Sequence, residues 1–138
     1  MTINDYDTVY QLWLSCKGMG LNHLDDLREG IAAFLARNPH TCLISTEGEK
    51  IVGVIMAGHD GRRAYIYHTA VDPSHQGRGI DSRLVEACLL AIKEEGIHKV
   101  ALLILIKMRL VTAFGESVVL WLGKTWSIAT DHCRRLSV

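Results

Sequence analysis

At 138 residues the chain is long enough for one domain with its own core and too short for two. Lysine plus arginine and aspartate plus glutamate both number 15, and 49% of the residues are apolar. No basic footprint therefore argues for nucleic acid or an anionic membrane, and neither is expected as a partner. Cys16, Cys42, Cys88 and Cys133 lack the paired spacing of a metal or redox site, and nothing near the start has the zones of a signal peptide. Free thiols, no metal and a cytoplasmic compartment are the expectation.

Val9, Leu12, Trp13 and Cys16 fall at helical spacing behind Asp5 and Asp7, predicting a first helix that ends near Gly18 to Gly20. Leu24, Leu27, Ile31, Phe34 and Leu35 predict a second, with Asp25 and Asp26 near its positive end and Pro39 after its close. Thr41 to Thr46 and Ile51 to Ala57 read as strands joined across Glu47-Gly48-Glu49. Asp60-Gly61 then turns the chain into a third strand, Ala64 to Val71. These make an antiparallel meander. Leu84, Val85, Cys88, Leu89 and Ile92 mark a third helix, and Lys99 to Ile106 a buried strand that a right-handed crossover lays parallel to the third. The expected fold class is α/β, in detail an α+β mixed sheet with helices on both faces.

Between the third strand and the third helix lies Val71-Asp72-Pro73-Ser74-His75-Gln76-Gly77-Arg78-Gly79-Ile80. Pro73 stops the strand, and Gly77 and Gly79 permit a tight turn that ligand can approach closely. The first amides of the following helix have no intrahelical acceptor, so this stretch reads as an anion cradle, with phosphate its natural guest.

Thr69-Ala70-Val71-Asp72-Pro73 followed by Gln76-Gly77-Arg78-Gly79-Ile80-Asp81 resembles motif A of the GNAT superfamily of N-acetyltransferases. The segment from Val54 to Arg63, with Tyr67-His68, is similar to the small bacterial YpeA-like branch, and the likeness covers roughly residues 5 to 103. The resemblance implies an acetyl-CoA-dependent transferase acting on a primary amine of a small molecule or protein. It implies that the motif strand splays from its neighbour so that Ala70 and Val71 grip pantetheine and the acetyl carbonyl. Gln76, Gly77, Arg78, Gly79, Ile80 and Ser82 would offer amides to the pyrophosphate, with the Arg78 side chain adding charge. The first two helices would cover the acceptor.

Acetyl transfer to an amine also needs a base to strip the ammonium. His68 and Tyr67 are the catalytic candidates, and strand alternation puts them on opposite faces. Packing with a satisfied polar tip is the competing role for both. His75 is expected in solvent, and Glu49 and Asp60 in turns.

Two features depart from the family. Where the motif has Gly or Ala, Asp81 sets a carboxylate beside the expected phosphates, which at close range costs CoA affinity on the order of a hundredfold. Alternatively it caps its own helix. From residue 101 onward there are two acids, Glu116 and Asp131, against five Lys or Arg, and the family's ending is missing. Back-translated with permitted codons and read in another frame, this tail can give a family-like ending containing Asn, Phe-Trp and Gly-Phe, so a shift of reading frame near codon 103 is expected. Otherwise the tail forms a helix over Val111 to Leu120 and a closing strand. The chain is thus read as a single domain, family-like over 1–103 with an atypical tail over 104–138. The alternative to an active enzyme is a GNAT-fold protein with weakened CoA binding, acting as a binding or dimerisation module through the apolar run Val118 to Leu122.

Overall fold

A computed structural model describes residues 1–102, 105–106, 120–121 and 125–127. The described elements are a short 3-10 turn (Ile3–Asp5), α1 (Tyr6–Ser15), α2 (Arg28–Arg37), β1 (Cys42–Glu47), β2 (Lys50–His59), β3 (Ala64–Val71), a second 3-10 turn (Pro73–His75), α3 (Ile80–Glu94), β4 (Lys99–Leu102), β5 (Leu105–Ile106), β6 (Leu120–Trp121) and β7 (Thr125–Ser127). A mixed sheet runs β1-β2-β3-β4-β7, and β5 pairs with β6 separately. β1, β2 and β3 form the expected antiparallel meander, and β4 lies parallel to β3 after the α3 crossover. Most of the segment expected as a helix over 111–120, and Val118, Val119 and Leu122 of the apolar run, lie outside the described residues.

Helices cover both faces of the sheet. α3 buries Ile80, Leu84, Cys88 and Ile92 against Val52, Ile55, Ile66 and Val100. α1 and α2 bury Val9, Trp13, Ile31 and Leu35 against Val54, Met56 and Ala70 on the other side. Gly53 sets how closely α3 approaches, because a Cβ there would stand 2.9 Å from Leu84 Cδ1 and 3.0 Å from Ile80 Cγ2.

The turns follow their chemistry. Gly48, at φ 61°, closes the β1–β2 hairpin. Asp60 Oδ1 accepts from the amides of Arg62 and Arg63, each at 2.8 Å, and these bonds hold its carboxyl below the ordinary value.

The second helix differs from its expected start. Leu24 is 85% exposed and α2 begins only at Arg28. Asn22 Oδ1 accepts from the amides of Leu24 and Asp25, while the Asn22 amide donates to Asp26 Oδ2. Such local side-chain bonds offer the backbone an alternative to helix. The resulting turn packs onto α2 at Gly30, where a Cβ would collide with the Asp25 carbonyl.

Candidate active site

The end of β3, the loop after it and the first turn of α3 enclose a groove of about 390 Å³ lined by Thr69, Val71, His75, Gln76, Gly77, Ile80 and Asp81. Gly77 and Gly79 both take positive φ, 74° and 71°, and Gly79 is the N-cap of α3. Neither glycine is there for want of space, since no atom stands within 4 Å of a Cβ at either. It is the left-handed backbone that requires them. Among the described residues, the amides of Gly77, Arg78, Gly79, Ile80, Asp81 and Ser82 find no protein acceptor. Successive unpaired N–H groups at a helix N-terminus suit a pyrophosphate.

The β3 edge is narrower than expected. Asp72 donates its amide to Val52 O, and Ala70 pairs with Val54 in the same register. By the alternation of an antiparallel ladder, the peptide groups of Ala70 turn into β2, and those of Thr69 and Val71 turn toward the β4 side. Ala70 is therefore corrected from a backbone contact to a ladder residue whose side chain is buried under α1 and α2. Thr69 takes its place in the groove wall, with a buried Oγ1 that has no partner among the described residues. Val71 O accepts from Gln76 Nε2 at 3.2 Å and from the Cys16 thiol at 3.5 Å. Gln76 thus contributes its side chain as well as its place in the loop. Described pairs between β3 and β4 run from Ala64↔Val100 to Ile66↔Leu102.

The loop is pinned to the β1–β2 hairpin by a polar network. His75, read as solvated, is only 8% exposed: Nε2 meets Glu47 Oε2 at 2.9 Å and Nδ1 meets Ser74 Oγ at 2.8 Å. A histidine can partner acceptors and hydroxyls on both nitrogens, which is what tethers this loop residue inward. Asp72 accepts from the amide and hydroxyl of Ser74 and pairs with Lys50 at 2.8 Å. The Lys50 and Ser74 contacts hold the Asp72 carboxyl well below its usual range, and the His75 bond lowers that of Glu47. Arg78 Nη1 lies 3.5 Å from Glu47 Oε1, so its charge leans on the hairpin. Among the described residues, Asp81 makes no capping bond. It sits in the first turn of α3 and lines the groove.

On the opposite face of β3, the side chains of Tyr67 and His68 both meet the helical layer. A register shift between Met56 and Ala57 leaves Tyr67 as the extra residue of a bulge, which breaks the alternation and overturns the expected opposite-face placement. Tyr67 is 41% exposed and stands edge-on to Phe34 of α2, ring centroids 5.6 Å apart. Burial and the neighbouring Tyr65 raise its phenol above the ordinary value, away from service as a base. His68 packs 5.1 Å from the Trp13 ring, and its Nε2 lies 2.8 Å from Asp26 Oδ1. Asp26 is 4% exposed. Its place in the periodic pattern makes it a helix-start charge; only the turn at residues 22–26 carries it across to β3.

The element order and sheet topology match those expected. A sequence profile described as the Acetyltransferase (GNAT) family matches residues 6–107. The chain belongs to the GNAT acetyltransferase family. An acetyltransferase of Sodalis glossinidius is 30% identical over 101 residues, 73% of this chain and 70% of the relative. One from Photorhabdus laumondii is 31% identical over 101 residues, 73% of this chain and 69% of the relative. Ard1 from Thermoplasma volcanium superposes with a TM-score of 0.66 at 21% identity, covering 76% of this chain and 68% of that one. The PaiA N-acetyltransferase from Thermoplasma acidophilum, solved in complex with coenzyme A, gives 0.62 at 14% identity with 76% of each chain covered. At such identities the structures speak for the GNAT fold.

Proposed function

We propose that this GNAT protein moves the acetyl group of acetyl-CoA to a primary amine of a small molecule or a protein. The observation that carries the proposal is the row of unpaired amides from Gly77 to Ser82 beside the groove. These amides would hold the pyrophosphate, with Arg78 released from Glu47 to add charge. The peptide groups of Thr69 and Val71 on the β3 edge would hold the pantetheine arm and the acetyl carbonyl. His68 would take the proton from the acceptor ammonium; the amine nitrogen then bonds to the acetyl carbon, the C–S bond breaks, and the thiolate is protonated from solvent.

Titration with CoA, followed by thiol release from acetyl-CoA across a panel of amino acids, polyamines, aminoglycosides and peptides, tests the proposal. Tight binding with amine-dependent release is expected. Binding without release from any amine would sink the transfer reaction.

A second reading has its own support. Asp81 lines the groove from the first turn of α3, which puts a carboxylate beside the place proposed for phosphate. The family match also stops at residue 107. Under this reading the tail is frame-shifted from about codon 103, CoA binds weakly, and the chain acts as a binding or dimerisation module. Codons in the tail that cannot encode a family-like ending in another frame would dispose of the shift. The partners proposed are an amine acceptor and, through the tail, a second copy, with neither nucleic acid nor membrane. Among the described residues no helix is long and apolar enough to cross a membrane.

A further inference from the structure

We propose that Asp26 is the positioning residue of the histidine base, fixing the tautomer of His68 so that Nδ1 carries the lone pair that takes the ammonium proton. This rests on His68 serving as the base of an amine acetyltransferase. The sequence separates the two residues by 42 positions, and their meeting depends on a turn that breaks the helix pattern.

The argument starts from what a carboxylate can do. Ionised, it only accepts hydrogen bonds, so the 2.8 Å contact from Asp26 Oδ1 requires the hydrogen to be on His68 Nε2. A neutral imidazole then has its lone pair on Nδ1, for which no partner is found among the described residues. When Nδ1 gains a proton, the imidazolium stands against a carboxylate rather than alone in a site where the His68 side chain is 16% exposed. One proton moves from the acceptor ammonium to Nδ1, the amine keeps its electron pair, and the charge of the pair goes from minus one to zero.

Asp26 is itself held from several directions. Its Oδ2 accepts from the Asn22 amide at 2.7 Å, and its backbone carbonyl accepts from the Tyr6 hydroxyl at 3.0 Å. Gly30 lets the Asp25 carbonyl sit directly on α2. The Trp13 indole, tilted 56° to the His68 ring, restricts how that ring can turn. Around His68 the titratable groups are Asp26 from the α1–α2 connection, Tyr6 of α1 behind Asp26, and Tyr67 next to it on β3. The β2 neighbour is Met56, which does not titrate. Asp26 is thus the carboxylate in contact with the imidazole. A buried carboxylate anchored through its own oxygen and its backbone carbonyl, and aimed at one histidine nitrogen, is the arrangement that orients a base.

The first test needs no variant. In 15N-labelled protein, measured at a pH high enough for the ring to be neutral, the His68 imidazole should show a hydrogen on Nε2 and none on Nδ1; the opposite tautomer overturns the proposal. The second is kinetic, with acetyl-CoA and whichever amine of the panel is turned over fastest. Asp26→Asn should lower kcat about tenfold or more while CoA affinity and the amine KM hold, and the acidic limb of the rate profile should move to lower pH. Asp26→Glu, which keeps the carboxylate, should recover part of the rate. If His68→Gln abolishes turnover while Asp26→Asn leaves both kcat and the acidic limb in place, Asp26 has no positioning role. If His68→Gln is itself fully active, the base assignment fails, and if wild-type protein turns over no amine, the transfer reaction fails. Should Asp26→Asn not fold, the tautomer measurement decides.

Discussion

The two faces of β3 do different work by different means. On the α3 side the groove is made of main chain: two left-handed glycines, a proline-stopped strand and the free amides of a helix start. On the α1/α2 side the chemistry lies in side chains brought together from distant positions, His68 from the sheet, Trp13 from α1 and Asp26 from a turn. A backbone site is written in consecutive residues and survives changes around it. A side-chain site depends on every element that carries it.

The sharpest way to break this comparison is to damage one face and measure the other. His68→Gln should cut kcat by about a hundredfold or more and leave CoA affinity unchanged, as read by thiol release and by titration. Loss of CoA binding in that variant would mean the two faces are not separable. Asp81→Gly acts on the groove alone: CoA affinity should rise about ten- to a hundredfold at low salt and less at high salt, with kcat little changed. Equal dissociation constants for the two proteins would remove the repulsion argument.

Gly53→Val should overpack the seam where α3 meets the sheet and destabilise the fold by about 2 kcal/mol in denaturant unfolding, loosening the groove before the His68 pair. An unaltered midpoint would show that Leu84 and Ile80 move aside freely.

The loop network should respond to acid. Asp72 and Glu47 have carboxyls held below their ordinary values in the folded state, so their contribution is fully present above the unfolded-state values, about pH 4, and is lost as pH falls through the lower folded ones. Melting temperature followed downward from pH 6 should therefore fall less steeply in Asp72→Asn than in the wild type. The smallest effect concerns thiols. Burial pushes Cys42 up to about 11 and Cys88 to about 12, so alkylation at pH 8 should spare both until the chain is unfolded, as peptide mapping would show.

Legibility in the sequence follows the same division. The meander, the crossover and the cradle are readable because alternation, helical spacing, Gly48, Pro73, Gly77 and Gly79 act over a few neighbours. His75 is misread because its partner Glu47 belongs to another hairpin, and Ala70 because register, not motif, decides which peptide faces the open edge. The shared face of Tyr67 and His68 depends on one extra residue in a ladder, which the period-two pattern does not contain.

By itself, the sequence determined the order of elements, the left-handed glycine turn and hence the family, since local backbone preference and apolar periodicity are properties of contiguous residues. Only the tertiary structure decided that the turn at residues 22–26 would lie flat on α2 at Gly30 and face β3. The carboxylate of Asp26 reaches His68 because of that placement. Contacts between residues far apart in sequence depend on packing geometry, which no single segment encodes.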